Sequence, residues 1–133
     1  MAKDGLVTIG SAHTAAETVG RLAAEIGKRG MTVFTRIDHA AAARAEGMAL
    51  RPTEVLLFGN PKAGTPLMQA DQTIGIDLPL RLLVWEDVDG KAWVTWNDPL
   101  WLGARHGLPA GEAERLKGMA AGLQAIAEAA ARA

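Results

Sequence analysis

Hydrophobic residues recur at helical spacing in two long segments, one near each end of the chain. The first lies at residues 14–29, where Thr14 and Glu17 form a capping box and Gly30 supplies a left-handed stop. The second lies at residues 110–131. Their apolar faces consist of Val19, Leu22, Ala23 and Ile26 in the first segment and Leu116, Met119, Leu123 and Ile126 in the second. This spacing predicts a long helix in each segment.

Five short apolar segments, several of them rich in β-branched and aromatic residues, predict β-strands. They are residues 6–9, 31–37, 55–58, 80–86 and 92–96. The last two flank Asp89-Gly90, a dipeptide typical of two-residue hairpin loops with a primed turn. We therefore expect a tight hairpin there, with Gly90 at positive φ.

Three shorter helices are predicted from their capping residues. Asp38 precedes an alanine helix at residues 40–45, and Asp98-Pro99 begins another. Thr65-Pro66 matches an N-cap followed by proline at the first helical position. The order of elements, with a tight hairpin and long helices at both ends, predicts an α+β domain with helices on one face of an antiparallel sheet.

The amino-acid composition excludes several classes of binding partner and of catalytic or metal-binding chemistry. The 133 residues, 49% of them hydrophobic, are enough for a single domain, residues 1–133, with its own core. Fourteen basic against fifteen acidic residues leave a net charge of −1, which offers no basic surface for nucleic acid or an anionic membrane. The absence of cysteine excludes disulfides, thiolate nucleophiles and cysteine-bound zinc.

The sequence also indicates a location. The N-terminus lacks a charged segment followed by an apolar run, so no secretory signal is visible. No stretch approaches the roughly 20 apolar residues that span a bilayer. We therefore expect a cytoplasmic protein with no membrane partner.

Six phrases occur in order through residues 5–108. They are Arg36-Ile37-Asp38-His39, Leu57-Phe58-Gly59-Asn60-Pro61-Lys62-Ala63-Gly64-Thr65-Pro66-Leu67-Met68, Asp77-Leu78-Pro79-Leu80, Val84-Trp85-Glu86-Asp87, Asn97-Asp98-Pro99 and Arg105-His106-Gly107. Together they resemble the domain of unknown function 302 family (DUF302). The terminal helix, residues 109–133, lies outside the part that carries the resemblance.

The resemblance implies a curved antiparallel sheet with a strand-helix-four-strand-helix plan, similar to the fold of the TATA-binding protein, and a tendency to form dimers. It does not imply DNA binding, because function depends on sites rather than folds. The family has no established catalytic residues to transfer to this chain. Neither the residues nor the resemblance names a cofactor.

The loop from Asn60 to Pro66 is the first candidate site. Lys62 lies three residues before the helix start predicted at Thr65, and a helix N-terminus with free N–H groups favours an anion. This predicts weak but specific anion binding that is lost on Lys62→Ala. The alternative is a turn in which Asn60 bonds the backbone and Thr65 caps the helix.

Histidines are the second candidate chemistry. His39 and His106, with carboxylates such as Asp71, Asp77, Glu86 or Asp87, offer nitrogen and oxygen ligands for a divalent metal. No two histidines share the i, i+4 spacing of a helical metal motif, so only the fold brings them together. Both histidines equally suit capping, and we predict no metal site.

Four tryptophans, at positions 85, 93, 96 and 101, lie in and just after the predicted hairpin. Trp96 shares the strand face of Val94, whereas Trp93 faces the opposite side. One face therefore belongs to the core. For the other face, the sequence favours a dimer interface or the wall of a ligand site about as much as further core.

Taken together, these features predict a homodimeric domain that binds a small, anionic ligand in a polar cleft. The cleft is predicted to contain Asn60, Lys62, Thr65, Asp77, Asn97, His39 and His106. The alternative is an enzyme in which His39 or His106 acts as general acid or base, with or without a metal. A third possibility is a structural interaction partner. An enzyme requires a histidine within hydrogen-bond reach of a nucleophile, a metal or a second acid.

Overall fold

The computed structural model describes residues 3–133. Its strands are β1 (Leu6–Gly10), β2 (Thr32–Asp38), β3 (Thr53–Gly59), β4 (Leu80–Glu86) and β5 (Ala92–Asn97). Its helices are α1 (Ala15–Lys28), α2 (His39–Ala45), α3 (Pro61–Ala70), α4 (Pro99–Arg105) and α5 (Ala113–Ala131). Short 3₁₀ segments at Gln72–Asp77 and Ala110–Glu112 complete the described elements.

The five strands form one antiparallel sheet in the order β1-β5-β4-β3-β2. The predicted α+β class and the strand-helix-four-strand-helix plan are both confirmed, with three short helices between or after the strands. β4 and β5 form the predicted hairpin, while β1 and β2 are the two edges of the sheet.

The core lies between one face of the sheet and the two long helices, α1 and α5. Every second residue of the central strands faces it, as strand geometry requires. Its buried members include Leu56, Phe58, Leu82, Val84, Val94 and Trp96 from the sheet, with Leu22, Ile26, Leu123 and Ile126 from the helices. Ala127 and Ala130 of α5 are also fully buried, so the alanines of this helix allow close packing.

The N-terminus of α1 is capped as predicted. The Thr14 hydroxyl accepts a hydrogen bond from the Glu17 N–H at 3.1 Å, and the Glu17 carboxylate accepts one from the Thr14 N–H at 3.1 Å. One turn later, Arg21 donates to the Ala130 carbonyl at 2.7 Å and thereby ties α1 to the C-terminal end of α5. A cation at that end also suits the negative pole of the helix dipole.

The hairpin loop differs from the prediction. Gly90 has a φ of 82°, as expected, but the hydrogen bond from its N–H to the Asp87 carbonyl makes Val88 and Asp89 the central residues of the turn. No non-glycine residue in the described chain has a positive φ, so the turn is not primed. The loop is a three-residue one, an unprimed turn followed by glycine in the left-handed region.

The predicted start of α3 is wrong. The helix begins at Pro61, and Asn60, rather than Thr65, is its N-cap. The Asn60 side chain accepts a hydrogen bond from the Lys62 N–H at 2.9 Å. Pro66 consequently lies inside the helix, where it cannot donate the usual bond to the Lys62 carbonyl. Leu67, one residue further on, is fully buried.

Candidate functional site

A cavity of about 500 Å³ lies between α3 and α5, at the end of the sheet where β3 ends and β4 begins. Its walls are mostly apolar. They include Phe58, Met68, Leu78, Met119, Leu123 and Ile126. We call it the α3–α5 pocket. Its volume falls within the roughly 300–1,000 Å³ typical of small-molecule sites.

One side of the pocket is a continuous stripe of α5. The stripe consists of Arg115, Gly118, Met119, Gly122, Leu123 and Ile126. These positions follow one another by three or one, so they share one helical face. A Cβ atom built on Gly118 or Gly122 would meet no atom within 4 Å. The two glycines therefore keep open a space that the described protein atoms do not fill.

Three polar side chains border this apolar space, from Asn60 and Thr65 of the α3 region and from Arg115 of α5. Asn60 holds its place as the cap of α3, and Thr65 follows one turn later along the helix. Arg115 is anchored through its Nε, which donates to the Glu112 carboxylate at 3.1 Å. The pocket thus has the composition of a ligand site, with an apolar body and a few polar groups.

The start of α3 has few donors left for an anion. Pro61 has no N–H group, and the Lys62 N–H is bonded to the Asn60 side chain. The N–H groups of Ala63 and Gly64 both donate to the Asn60 carbonyl, at 2.9 and 3.2 Å. Lys62 itself is exposed and does not line the pocket. The free N–H groups expected at this helix start are therefore satisfied within the chain.

Asp77 and His106, two of the predicted site residues, are in direct contact. His106 Nε2 lies 2.5 Å from Asp77 Oδ2, and the Arg105 guanidinium donates to both oxygens of Asp77 at 3.0 Å. The other ring nitrogen of His106 lies 3.0 Å from the Thr73 hydroxyl. The cluster ties the 3₁₀ segment before β4 to the C-terminal end of α4.

Both ring nitrogens of His106 have a partner within the chain. The Thr73 hydroxyl donates to Asp71 Oδ1 at 2.5 Å and so presents a lone pair to His106 Nδ1. Nε2 faces the Asp77 carboxylate, another acceptor. Both ring nitrogens of His106 are therefore occupied by contacts within the chain. The His106 side chain is also only 8% exposed.

The Asp71 carboxylate completes the cluster. Hydrogen bonds from the Thr73 side chain and then from its backbone N–H hold the pKa of Asp71 below its usual range, and His106 lowers this pKa further. Asp71 also caps the 3₁₀ segment through the Thr73 N–H. These contacts are what a structural cap requires.

The remaining predicted site residues do not join the pocket. His39 begins α2 and is exposed at the end of the sheet where β2 ends, whereas Asn60 follows the opposite end of β3. A strand of seven residues separates these two ends by roughly 20 Å. Asn97 ends β5 and pairs with Leu6 on β1. The single polar cleft expected from the sequence is thus divided among several places.

Comparison with known proteins places this fold in a family. The sequence model described as "Domain of unknown function DUF302" matches residues 7–129. The chain belongs to the DUF302 family. The match extends through most of α5, and therefore includes the whole stripe that lines the pocket.

Curated relatives of this DUF302 chain include two proteins named "Fluoride-specific ion channel FluC 1", from Brucella suis biovar 1 and Brucella abortus biovar 1. Each is 50% identical to this chain over 127 residues, which make up 96% of the chain. The matched region is 50% of the first relative and 47% of the second. The chain thus spans about half the length of the curated relatives it matches.

A solved structure, the crystal structure of an uncharacterized conserved DUF302 protein from Bacillus stearothermophilus, has the same fold. The TM-score is 0.86, with 96% of this chain and 99% of that chain covered. The sequences are 18% identical, so this likeness concerns the fold.

The face of the DUF302 sheet that is turned away from α1 and α5 is a second surface of interest. We call it the open face. By strand register it includes Thr8, Ile37, Val55, Leu57, Arg81, Leu83, Trp85, Trp93 and Thr95. None of these residues belongs to the buried core. The predicted division of the tryptophans is confirmed, since Trp96 is 3% exposed in the core while Trp93 lies on the open face.

Two features mark the open face. Trp85 and Trp93 stack across β4 and β5 with ring centroids 6.0 Å apart, and Trp85 donates to the Thr95 hydroxyl at 2.9 Å. Arg81, on the central strand β4, has a buried Nε with no hydrogen-bond partner among the described residues. Buried donors without a partner are uncommon in folded proteins.

Within residues 3–133, no group of three or more His, Asp or Glu side chains is placed to hold a metal ion. Over the same residues, no helix combines the length and the apolar character needed to cross a bilayer.

The sequence analysis predicted only Asn60 and Thr65 of the pocket lining, and among the residues that it missed are Arg115, Gly118 and Gly122. The signal was present in two glycines four residues apart within an alanine-rich helix. Each glycine costs about 1 kcal/mol of helix stability relative to alanine. Two glycines on one helical face therefore indicate that this face is kept free of side chains. Arg115 lies three residues before Gly118, which is four residues before Gly122, so the three residues share one face of the helix.

Proposed function

We propose that this chain is a small-ligand binding module whose site is the α3–α5 pocket. The observation that carries the proposal is the pocket itself, about 500 Å³ of mostly apolar space bordered by Asn60, Thr65 and Arg115. Asn60 and Thr65 were predicted as site residues from the sequence. The other predicted residues are Lys62, Asp77, Asn97, His39 and His106, which do not line this pocket.

The glycines of α5 support a ligand over a packing defect. Alanine at Gly118 or Gly122 would improve helix propensity and would meet no atom within 4 Å. Gly20 and Gly27 of α1 are equally open but line no pocket, so the position of Gly118 and Gly122 on the pocket wall is what distinguishes them. Where a helix forms the wall of a binding site, glycine in that wall leaves the pocket wide enough for its ligand.

Fluoride is a candidate anion only through the names of the Brucella relatives. A small, strongly hydrated ion needs polar ligands to replace its water, and burying it against apolar side chains costs free energy. The pocket offers mainly carbon atoms. A larger organic ligand therefore suits it better than fluoride.

We also propose that the module forms a homodimer through the open face. The stacked tryptophans and the partly buried aliphatic residues around them support a second copy over this face. Two-fold dimers are the commonest closed assemblies, and one self-complementary face is enough to build one.

The binding proposal can be tested by a substitution that places a larger side chain inside the pocket. Gly122→Leu places a side chain in the open space, whereas Gly20→Leu changes an exposed glycine of α1 that likewise has no atom near its Cβ position. We expect the fluorescent apolar probe ANS to bind the parent protein and the Gly20→Leu variant, and to bind Gly122→Leu at least about tenfold more weakly. Equal binding to all three proteins would place the probe elsewhere and remove the basis of the proposal.

A further inference from the structure

We propose that the ligand of the α3–α5 pocket is an amphiphilic monocarboxylate, with its apolar body along α5 and its carboxylate on Arg115. This inference rests on the proposed binding function and specifies its ligand class. It follows from the order of residues along one helical face rather than from the pocket's volume alone.

The α5 stripe is polar at one end and apolar at the other. Arg115 is its first residue, Gly118 and Gly122 form its open middle, and Leu123 and Ile126 form its apolar end. At 1.5 Å of rise per residue, the stripe from Arg115 to Ile126 extends roughly 16 Å. A ligand lying along it meets a cation first and then only apolar surface.

Arg115 has capacity for a second acceptor. Its Nε–H donates to Glu112, and within residues 3–133 its side chain makes no other hydrogen bond. A guanidinium carries five N–H donors in one plane, and its geometry matches a carboxylate. The Arg115 side chain borders the pocket and is 44% exposed, so it is not buried by its contact with Glu112.

A carboxylate fits this charge arrangement better than the alternatives. A phosphate brings up to two charges to a site with one arginine, whose charge Glu112 already offsets in part. A cationic amphiphile would place its positive charge beside that of Arg115, which lines the same end of the pocket, and the two would repel each other. A neutral alcohol gains the apolar contacts but brings neither a negative charge nor the two acceptor oxygens of a bidentate pair with Arg115.

The experiment compares three probes with one chain length, decanoate, decanol and decyltrimethylammonium, each below its micelle concentration, by displacement of ANS. We expect decanoate to bind the parent protein roughly tenfold more tightly than decanol, and the cation to bind least. Arg115→Gln is expected to abolish the preference for decanoate and to leave decanol binding unchanged. Glu112→Gln, which removes the competing carboxylate, is expected to strengthen decanoate binding.

Lys62→Ala is the control, because Lys62 is a nearby exposed cation that does not line the pocket. It is expected to leave the decanoate preference intact. If this variant loses the preference while Arg115→Gln keeps it, the anion lies at the start of α3 and the inference is wrong. Equal binding of decanoate and decanol to the parent protein also overturns the inference but leaves the binding module standing. Failure of all three probes, with ANS binding unaffected by Gly122→Leu, overturns the proposed function itself.

Discussion

A single carboxylate organises the loop between β4 and β5. Asp87 accepts hydrogen bonds from the N–H groups of Asp89 and Lys91, both at 2.9 Å, and from the Trp93 indole at 2.8 Å. The bond from Trp93, then that from the Lys91 backbone, hold the pKa of Asp87 below its usual range. The same residue therefore fixes the turn and one ring of the tryptophan stack.

The lowered pKa of Asp87 makes its contribution to stability depend on pH. A carboxyl group whose pKa is lower in the folded state stabilises the fold above its unfolded pKa of about 3.9 and loses that effect as pH falls through the folded value. We expect Asp87→Asn to unfold more easily than the parent in urea at pH 7, with the difference shrinking below about pH 4. Asp89→Asn, at a neighbouring exposed site, is the control. A difference that persists at low pH would mean that the charge is not what stabilises the loop.

Gly90 supplies the left-handed residue that ends the same loop. Its φ of 82° is strained for a β-branched side chain, although open space surrounds its Cβ position. Gly90→Val is expected to lower the free energy of unfolding by about 1 kcal/mol or more, and Gly90→Asn by less, because asparagine tolerates this region. Urea denaturation of the two variants measures this. Equal losses would indicate a cause other than backbone conformation.

At the scale of elements, α3 shows where sequence patterns are ambiguous. Asn60-Pro61 and Thr65-Pro66 both match the signature of a cap followed by proline, and both lie in the same short segment. The helix begins at the first of these, with Asn60 as its N-cap, and Pro66 therefore lies inside the helix. Starting there adds about one turn of helix, residues 61–64, ahead of the fully buried Leu67. The choice depends on packing, which the local pattern does not contain.

The corrected helix start can be tested by removing each cap. Asn60→Ala deletes the oxygen that accepts the Lys62 N–H and is expected to cost about 1 kcal/mol of folding stability. Thr65→Ala replaces a residue within the helix and is expected to cost little or to stabilise slightly. Thermal unfolding followed by circular dichroism compares them. The reverse order of stability would restore Thr65 as the cap.

At the scale of the whole molecule, the sequence predicted the fold better than the site. Helical and strand periodicities are local, so α1, the strands and α5 could all be located from residues a few positions apart. The pocket joins residues from β2, β3, α3, β4 and α5, and the Asp77–His106 contact spans 29 positions. Such contacts depend on how the elements pack. The local signals of the pocket were the Asn60–Pro66 segment and the paired glycines of α5.

Strand alternation also predicted that the sheet has two different faces, but not what covers the second one. The open face presents Trp85, Trp93 and Leu83 beside an arginine with an unpartnered buried donor. Stable interfaces remove about 800 Å² from each partner, which is an area comparable to one face of a small sheet. A second copy over this face would bury the aromatic residues without covering the α3–α5 pocket, which lies on the helix side.

The dimer prediction depends on a substitution that alters the open face without harming the fold. Ile37 lies on this face of β2 and is 41% exposed, so Ile37→Glu leaves the monomer core unchanged. Ile76→Glu is the control, because Ile76 is 74% exposed and lies outside the sheet. At tens of micromolar, light scattering is expected to give twice the 14.0 kDa chain mass for the parent and for Ile76→Glu, and a single chain mass for Ile37→Glu. A buried carboxylate without a partner costs several kcal/mol, enough to dissociate a dimer held by one such face. A parent protein of 14.0 kDa would end the dimer proposal, and a dimeric Ile37→Glu variant would move the interface to another surface.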